Sequence, residues 1–426
     1  MLIHIVQAGD TLSAIAQQYG VSVSRLLLDN GLNLMSQLVV GQALLVTLPS
    51  VTHTVRGGDT LTSIAAAYGI TAIELMQNNP NLILTPVIYP GQDLAIAFRG
   101  GKRRTVSTSG YAYPFINRNT LRLALPYLTY LAIFSYGFRE SGELIPIDDN
   151  ELIRLAYEYR VAPVMVLTTI TEEGHFSGEK AEALLSDIGF QNRVLDNIIE
   201  TMREKGYLGL DVDFEFIPPE QSEAYVAFLR NAHDRLQANG FFMSVALAPK
   251  THADQPGLLY EAHNYPVIGA IADNVLIMTY EWGYTFGPPM AVAPINAVRS
   301  VVSYAVTEIP PDKILMGIPN YGYDWTLPYE RGISRALGIG NQEAVVLAAQ
   351  NRAEIRFDPV AMSPYFNYSS GGARHVVWFE DIRSIEAKMN LADEFQLLGV
   401  GYWQIMKPFA QNYMLLAVRY GVRKVV

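Results

Sequence analysis

The sequence predicts a (β/α)8 barrel preceded by two small repeated modules. Between Gly110 and the C-terminus, eight apolar segments favour β-strands, and amphipathic helical segments separate most of them. Nearly continuous apolar strands that alternate with helices are typical of a parallel sheet buried on both faces. Eight such units in about 315 residues match a closed barrel. The alternative, a doubly wound open sheet, usually carries a glycine-rich phosphate loop after its first strand, and this sequence has none there.

The N-terminal part of the chain contains an internal repeat. The stretch HIVQAGDTLSAIAQQYG begins at His4, and HTVRGGDTLTSIAAAYG begins at His53. In each copy a short strand leads into Gly-Asp-Thr, whose polar side chains can cap a helix, and a second helix and a closing strand follow. We therefore predict two βααβ modules, at residues 1–49 and 50–98.

The remaining boundaries follow from composition. Residues 99–109 are rich in glycine, serine and basic side chains and have no apolar periodicity, so we expect a linker there. The barrel domain then spans 110–426. A long insertion between strands seven and eight, at about 328–392, is expected to fold as a small α+β lobe beside the barrel mouth.

Composition also excludes several function classes. Half of the 426 residues are hydrophobic and 17% are charged, which indicates a globular protein with a large core. A net charge of −10 argues against nucleic-acid binding. Cysteine is absent, so disulfides and thiolate metal sites are excluded. The sequence shows no secretory signal and no apolar run of membrane-spanning length, so we expect no membrane partner.

The fourth predicted strand carries three acids. The run LGLDVDFEF places Asp211, Asp213 and Glu215 at alternate positions, which in a strand share one face. In a barrel that face is the interior, and it rises toward the C-terminal mouth, where barrel enzymes have their active sites. Buried neighbouring acids repel each other, so at least one must hold a proton, as a general acid requires. A solvated sheet face or a structural hydrogen-bond network are the alternatives.

Two other hydrolytic mechanisms are disfavoured. The seven histidines show no spacing typical of a metal site, and the sequence lacks the G-x-S-x-G turn of serine hydrolases. We therefore expect neither a metal nor a cofactor.

The two N-terminal modules resemble the LysM domain, since both copies follow the pattern GDTL…IA…YG…N…GQ. LysM modules bind glycans that contain N-acetylglucosamine, chiefly peptidoglycan and chitin. The resemblance therefore implies that residues 1–98 target the protein to such a polymer. The loops after Gly9 and Gly58 and around Asn30 and Asn79 are the expected ligand contacts, while most motif residues determine the fold.

The run GLDVDFE resembles the DGxDxDxE signature of glycoside hydrolase family 18. The resemblance implies that Glu215 is the general acid/base, that Asp213 orients and stabilises the substrate's 2-acetamido group, and that Asp211 shares a proton with Asp213. Members of this family use the acetamido oxygen as the nucleophile and retain the anomeric configuration. The family's first Asp falls on Leu208 here, which we expect to tune activity more than to abolish it.

Other strand ends agree with this resemblance. MTYEWG resembles the family's M-x-Y-D, which implies that Tyr280 holds the acetamido oxygen and that Glu281 stands where chitinases usually have Asp. GYWQ implies that Trp403 lies under the sugar ring at the cleavage site. The further substrate-binding candidates are Trp282, Asn320 and Tyr323. All four tryptophans lie in the barrel domain, and together they favour a sugar groove: Trp282, Trp325, Trp378 and Trp403.

The combination of tandem LysM modules with this barrel is similar to that of enzymes acting on the spore cortex of endospore-forming bacteria. It implies a retaining β-N-acetylglucosaminidase of cortex peptidoglycan fragments, which is made in the mother cell and deposited at the spore without a classical signal peptide. We expect a monomer. Two alternatives remain open: a chitinase or endo-β-N-acetylglucosaminidase acting on another N-acetylglucosamine glycan, and a non-catalytic, glycan-binding spore coat protein.

Overall fold

The chain folds into a closed parallel barrel with two small modules docked against its side. The computed structural model describes residues 1–170 and 176–426, so His175, one of the seven histidines, lies outside the described residues. No helix in the described part of the chain is long and apolar enough to cross a membrane.

The two N-terminal modules have the predicted βααβ order, and each strand pair is antiparallel. Threonine and serine side chains accept hydrogen bonds at the first turn of each paired helix, which explains where these helices begin. The first module comprises β1 (Leu2–Ile5), α1 (Leu12–Tyr19), α2 (Val23–Asn30) and β2 (Ala43–Val46). The second comprises β3 (Pro49–Thr54), α3 (Leu61–Ala67), α4 (Ala72–Asn78), a short additional helix α5 (Asn81–Leu84) and β4 (Asp93–Phe98).

Seven consecutive parallel strands form most of the barrel wall. They are β5 (Arg104–Ala112), β6 (Tyr130–Tyr136), β7 (Ala162–Thr168), β8 (Gly209–Asp213), β9 (Phe242–Leu247), β10 (Asn274–Ile277) and β11 (Ile314–Pro319). The outer helices between them are α6 (Arg118–Ala124), α7 (Asn150–Glu158), α8 (Gly178–Ser186), α9 (Ile188–Lys205), α10 (Ser222–Gln237), α11 (Tyr265–Ile271) and α12 (Ile295–Glu308).

The insertion after β11 forms a separate five-stranded sheet with one helix, here called the lobe. Its elements are β12 (Tyr321–Leu327), β13 (Leu337–Gly340), α13 (Asn341–Gln350), β14 (Arg356–Asp358), β15 (Ser363–Ser370) and β16 (Ala373–Trp378). The chain then returns to the barrel through α14 (Ile382–Glu394), β17 (Gly399–Trp403), α15 (Ala410–Arg419) and β18 (Tyr420–Val422). Strand β17 pairs in parallel with both β11 and β5, which closes the barrel and confirms the predicted fold class.

The lobe confirms the predicted α+β insertion, but its boundaries differ from the predicted 328–392. The segment 314–325, which the sequence predicts as one strand, is two strands that belong to different sheets. Apart from Asn320 and Asp324 it consists of apolar, aromatic and glycine residues, so its composition gives little sign of the break at Asn320. At the other end, α14 contacts β11 and β17 and is a barrel helix.

The prediction of a linker over 99–109 is wrong at its C-terminal end, because β5 begins at Arg104. The hydroxyl-rich part of this segment is buried in the barrel wall, where Thr108 Oγ1 donates to Tyr127 O over 2.6 Å. Two of its basic residues also have structural partners, since Arg103 and Arg104 both form ion pairs with Asp393.

The two modules are docked on the barrel. Helices α2 and α4 both pack against α15. Apolar residues of both modules belong to the same buried cluster as the barrel core: Ala43, Leu45, Ile83, Ala95 and Phe98. Gln77 Nε2 donates to Pro126 O over 2.7 Å, and Gln411 Nε2 donates to Asn30 Oδ1 over 2.8 Å. The modules therefore form a continuous packed body with the barrel.

Candidate active site

The three acids of the fourth barrel strand rise toward the mouth of the barrel. Asp211 and Asp213 lie in β8, whose last residue is Asp213, and Glu215 follows immediately beyond the strand. Asp211 is 1% exposed and Asp213 is 5% exposed, whereas Glu215 is partly exposed. The acids therefore form a gradient from the barrel interior to the solvent, with Glu215 outermost.

Asp211, the deepest acid, has its hydrogen bonds satisfied. Tyr111 Oη donates to Asp211 Oδ2 over 2.8 Å, and Ser244 Oγ donates to Asp211 Oδ1 over 2.5 Å. Burial raises the pKa of this carboxyl, and the two donors oppose that rise. Sequence reasoning did not identify Tyr111 and Ser244. The available signal was a hydroxyl inside an otherwise apolar barrel strand.

Asp213 is buried and lacks full hydrogen bonding. Among the described residues, no group forms a hydrogen bond with Asp213 Oδ1. Burial, and then the charges of Glu215 and Asp211, hold the pKa of Asp213 well above its usual range. Buried carboxyl oxygens normally have partners, so this one is available to a group that enters from the mouth.

Glu215 is poised to exchange a proton near neutral pH. Burial, and then the charge of Glu281, raise the pKa of Glu215 to about 7. A general acid works best when its pKa lies near the working pH. The side chain is thus able to hold a proton and to lose it under the same conditions.

A neutral histidine fixes the backbone next to Glu215. His263 is fully buried, and burial lowers its pKa to about 4. Its Nδ1 accepts from the Ala248 N–H over 2.8 Å, so Nε2 carries the hydrogen and lies 3.3 Å from Phe214 O as its donor. The Phe214 ring also stacks on Phe228, with 5.6 Å between centroids. These contacts hold the residue before Glu215. No spacing pattern in the sequence pointed to His263.

Tyr280 follows β10 and is 8% exposed. Burial, and then the charge of Asp213, hold the pKa of the Tyr280 phenol well above its usual range. The phenol therefore keeps its proton and remains a hydrogen-bond donor beside the acids. The role that the family resemblance implies for Tyr280 stays a prediction.

Glu281 adopts a left-handed backbone conformation, with φ of 67°, immediately after Tyr280. The hydroxyls of Tyr321 and Tyr323 both donate to Glu281 Oε1, the latter over 3.1 Å. Burial raises the pKa of Glu281, and these two donors oppose the rise. Tyr323 thus holds Glu281 in place, and Tyr321 is a second such partner that sequence reasoning missed.

Trp403 lies at the end of β17 in an aromatic cluster. Its ring centroid is 5.0 Å from that of Phe134, 5.7 Å from that of Tyr111 and 6.2 Å from that of Tyr113. Because Tyr111 also binds Asp211, the cluster connects the indole directly to the acids. Trp403 is half-buried, so part of its ring remains available to a ligand.

The other predicted substrate-binding residues and tryptophans differ in burial and in hydrogen-bond partners. Asn320 is buried, and its Nδ2 donates to Gln404 O and Lys407 O, so it braces the chain after β17. Trp282 is partly buried against the barrel core. The prediction of a common sugar groove is wrong for Trp325, which is 1% exposed and donates from Nε1 to Gly287 O. Trp378 stacks on a tyrosine of the lobe, with 4.7 Å between ring centroids.

Comparison with known proteins identifies the family. The sequence model of glycosyl hydrolases family 18 matches residues 170–407, and that of the LysM domain matches residues 4–47 and 53–97. The chain is 42% identical to the cortical fragment-lytic enzyme of Bacillus subtilis (strain 168), over 100% of this chain and 99% of that protein. It is 40% identical to the enzyme of the same name from Bacillus anthracis, over 98% of both.

Solved structures give the same result. The crystal structure of the Bacillus megaterium QM B1551 spore cortex-lytic enzyme SleL superposes with a TM-score of 0.84 at 39% identity, covering 100% of this chain and 99% of that chain. The corresponding Bacillus cereus structure gives a TM-score of 0.84 at 38% identity, covering 99% and 98%. The chain therefore belongs to glycosyl hydrolase family 18 and carries two LysM domains before its catalytic barrel.

Proposed function

We propose that the protein is a retaining β-N-acetylglucosaminidase that hydrolyses fragments of spore cortex peptidoglycan with assistance from the substrate. The observation that carries this proposal is the hydrogen bonding and protonation of Asp211, Asp213 and Glu215, here called the acid row. Asp211, the deepest member, is fully hydrogen-bonded, and one buried oxygen of Asp213, the middle member, has no partner among the described residues. Glu215, the outermost member, has a pKa of about 7. A structural network would satisfy all three acids.

In the first step, the sugar that is cut rests on Trp403 with its 2-acetamido group beside Asp213 and Tyr280. Protonated Glu215 gives its proton to the glycosidic oxygen as that bond breaks. The acetamido oxygen attacks the anomeric carbon and forms a cyclic oxazoline-type intermediate. The Asp213 carboxyl accepts a hydrogen bond from the acetamido N–H, and the Tyr280 hydroxyl donates a hydrogen bond to the acetamido oxygen. Holding these groups in place supplies much of the rate enhancement.

In the second step, Glu215 is ionised and removes a proton from a water molecule. That water attacks the anomeric carbon from the side that the leaving group vacated, and the ring of the intermediate opens. Two inversions at one carbon give net retention, and Glu215 recovers the proton that it gave away. Tyr111 and Ser244 hold Asp211 in place through both steps, so the protonation state of Asp211 affects the pKa of Asp213 throughout.

The proposed substrate follows from the relatives and the domain content. Full-length relatives are named for lysis of cortex fragments, and the LysM domains supply affinity for an N-acetylglucosamine polymer. We accordingly propose that the protein acts at the spore and is made in the mother cell. We also propose that it works as a monomer, with no nucleic-acid or membrane partner.

The test is mass spectrometry of cortex muropeptide fragments incubated with the wild type and with Glu215→Gln. We expect new products with N-acetylglucosamine at the reducing end from the wild type alone. Ser135→Ala, which removes a hydroxyl that lies 3.0 Å from Thr168 Oγ1, is the matched control and should give the wild-type products. Cleavage of chitin oligosaccharides without cleavage of cortex would show that the substrate is another glycan. No cleavage of either substrate would indicate a glycan-binding protein without activity.

A further inference from the structure

Exposed apolar and aromatic side chains border the barrel mouth on the side of the lobe. They lie on the loop 283–290, which follows β10, and on the segment 329–338 of the lobe, and these two stretches are here called the rim. The exposed fractions are 51% for Phe286, 74% for Ile333 and 66% for Leu337. A single exposed apolar side chain is ordinary on a protein surface, whereas a group of them indicates an interaction site.

Hydrogen bonds join the two stretches of the rim. The Ala336 N–H donates to Thr285 O over 2.8 Å, and Tyr329 Oη donates to Phe286 O over 2.9 Å. Each of these bonds crosses from the lobe segment to the loop. The rim is therefore one surface whose backbone is already in place before a ligand arrives.

The rim lies close to the proposed general acid. Tyr323 Oη donates to Glu281 Oε1 over 3.1 Å, and the charge of Glu281 acts on Glu215. Tyr323 of β12 pairs with Gly338 of the rim, and a Cβ at Gly338 would lie 3.7 Å from Tyr323 Cε1. Two side chains, those of Tyr323 and Glu281, thus connect the rim to Glu215.

The rim carries a cation without an acidic partner. The Arg335 guanidinium lies over the Phe286 ring, with 5.2 Å between Cζ and the ring centroid. Arg335 is exposed and forms no ion pair with any residue that the structure describes. Stacking on an aromatic ring orients a guanidinium and leaves its N–H groups available. The other charged residues of the rim are Arg331 and Glu330, so the rim is locally positive on a chain with a net charge of −10.

The proposed substrate brings an anion to this part of the mouth. In peptidoglycan, N-acetylglucosamine alternates with muramic acid, whose lactyl ether carries a peptide stem with free carboxylates. Cleavage after N-acetylglucosamine makes muramic acid the leaving group. Its stem is attached to the ring carbon next to the one that bears the leaving oxygen, so the stem begins close to Glu215. An apolar surface with an unpaired guanidinium matches the aliphatic and carboxylate groups of such a stem.

We propose that the rim binds the peptide stem of the leaving-group muramic acid, with Arg335 pairing with a stem carboxylate and Phe286 packing against the apolar part of the stem. This inference rests on the proposed function for the identity of the polymer and of the bond that is cut. The rim thus favours positions of the glycan that bear a stem over positions that lack one. Because these contacts are the same before and during the reaction, they lower KM and leave kcat unchanged.

The test compares two forms of soluble muropeptide fragments as substrates. In both forms the stem amines are acetylated, and in the second form the stem carboxyls are also converted to methylamides, so the forms differ mainly in charge. For the wild type, we expect KM to be about fivefold higher on the methylamide form, at the upper end for an exposed ion pair. Arg335→Gln should have this higher KM on both forms and an unchanged kcat.

The matched control is Arg356→Gln, which removes an exposed arginine from β14 at the opposite edge of the lobe sheet. It should keep the wild-type KM on each form. A wild type with the same KM on both forms would overturn the inference. So would an Arg335→Gln variant that still distinguishes the forms, or an Arg356→Gln variant that loses the distinction to the same extent.

Binding measurements separate this inference from the proposed function. In full-length chains that carry Glu215→Gln, calorimetric titration should give a Kd about fivefold lower for the free-carboxylate form than for the methylamide form. Addition of Arg335→Gln should abolish this difference. Equal Kd values for the two forms would overturn the stem site. A charge-dependent Kd together with a wild type that cuts neither form would instead contradict the proposed function.

Discussion

The LysM domains and the barrel mouth both bury polar side chains, but they treat them in opposite ways. In the first LysM domain, Asn30 Nδ2 donates to Leu26 O and Leu45 O over 2.8 Å each, and Asn30 Oδ1 accepts from the Leu45 N–H over 2.7 Å. Asn79 makes the same set of contacts in the second domain. Every polar atom of these two side chains is used to join a helix end to a strand.

At the barrel mouth the buried acids are incompletely paired. Among the described residues, one Asp213 oxygen has no hydrogen-bond partner. Burial and then the charges of Glu215 and Asp211 raise the pKa of Asp213, whereas burial and then the charge of Glu281 raise the pKa of Glu215. A group buried without partners lowers stability. Full pairing thus indicates a structural role, and incomplete pairing at a strand end indicates a place reserved for a ligand.

The largest effect is expected from the acids themselves. Glu215→Gln and Asp213→Asn should each lower kcat for fragment hydrolysis by about 10²–10⁴-fold, because they remove the proton donor and the group that orients the acetamide. Initial rates on purified soluble fragments measure this. Unchanged thermal unfolding would show that the loss is not caused by misfolding, and a variant within tenfold of the wild type would contradict the assignment.

A change in a fully hydrogen-bonded residue should instead lower stability and leave kcat unchanged. Asn79→Ala removes the side-chain partner of the buried Ala95 N–H and C=O, so we expect it to lower the free energy of unfolding by about 1–3 kcal/mol. Denaturant unfolding measures this. The kcat for soluble fragments at low temperature should stay at the wild-type value, and a loss of kcat without a loss of stability would break the comparison.

A stability measurement across pH sharpens the same contrast. The folded-state pKa of Glu215 is about 7, above its usual 4.5. Folding therefore favours the protonated form, and the stability that this form contributes is lost as pH rises from about 4.5 through 7. Glu215→Gln lacks this loss. Relative to the wild type, the variant should gain about 1–2 kcal/mol between pH 5 and pH 8, after allowance for the partial exposure of the side chain. No difference between the two pH values would contradict the raised pKa.

The smallest predicted effect concerns Glu281. Its charge helps to raise the pKa of Glu215, so Glu281→Gln should lower that pKa. The alkaline limb of the profile of kcat/KM against pH should then move to lower pH, since the general acid loses its proton earlier. Tyr323→Phe, which removes one donor to Glu281 and keeps the charge, is the control and should move the limb much less. A limb that moves to higher pH in Glu281→Gln would contradict the electrostatic account.

Much of this arrangement was predictable from the sequence, because its signals are local. Alternation in β8 placed three acids on one face, and the repeat offset defined the two LysM domains. The partners of those acids were not predictable. Tyr111, Ser244 and His263 reach the acid row from other strands and loops, so that only the closed barrel brings them together.

The docking of the LysM domains was also hidden from the sequence. The side chains that join them to the barrel, such as Gln77 and Gln411, are ordinary polar residues in helical segments. The buried strand at 104–109 has the composition of a linker, because its hydroxyls pair inside the barrel wall. Since apolar residues of both modules belong to the barrel core, removal of residues 1–98 would expose that core.

The central claim is that Glu215 delivers a proton to the leaving group, and leaving-group dependence tests it most directly. Single-turnover rates would be measured for wild type and Glu215→Gln on two substrates with the same N-acetylglucosamine unit, one with a sugar leaving group and one with nitrophenolate, which departs without a proton. We predict that the variant loses about 10²-fold or more on the sugar leaving group and far less on nitrophenolate. An equal loss on both substrates would contradict the account.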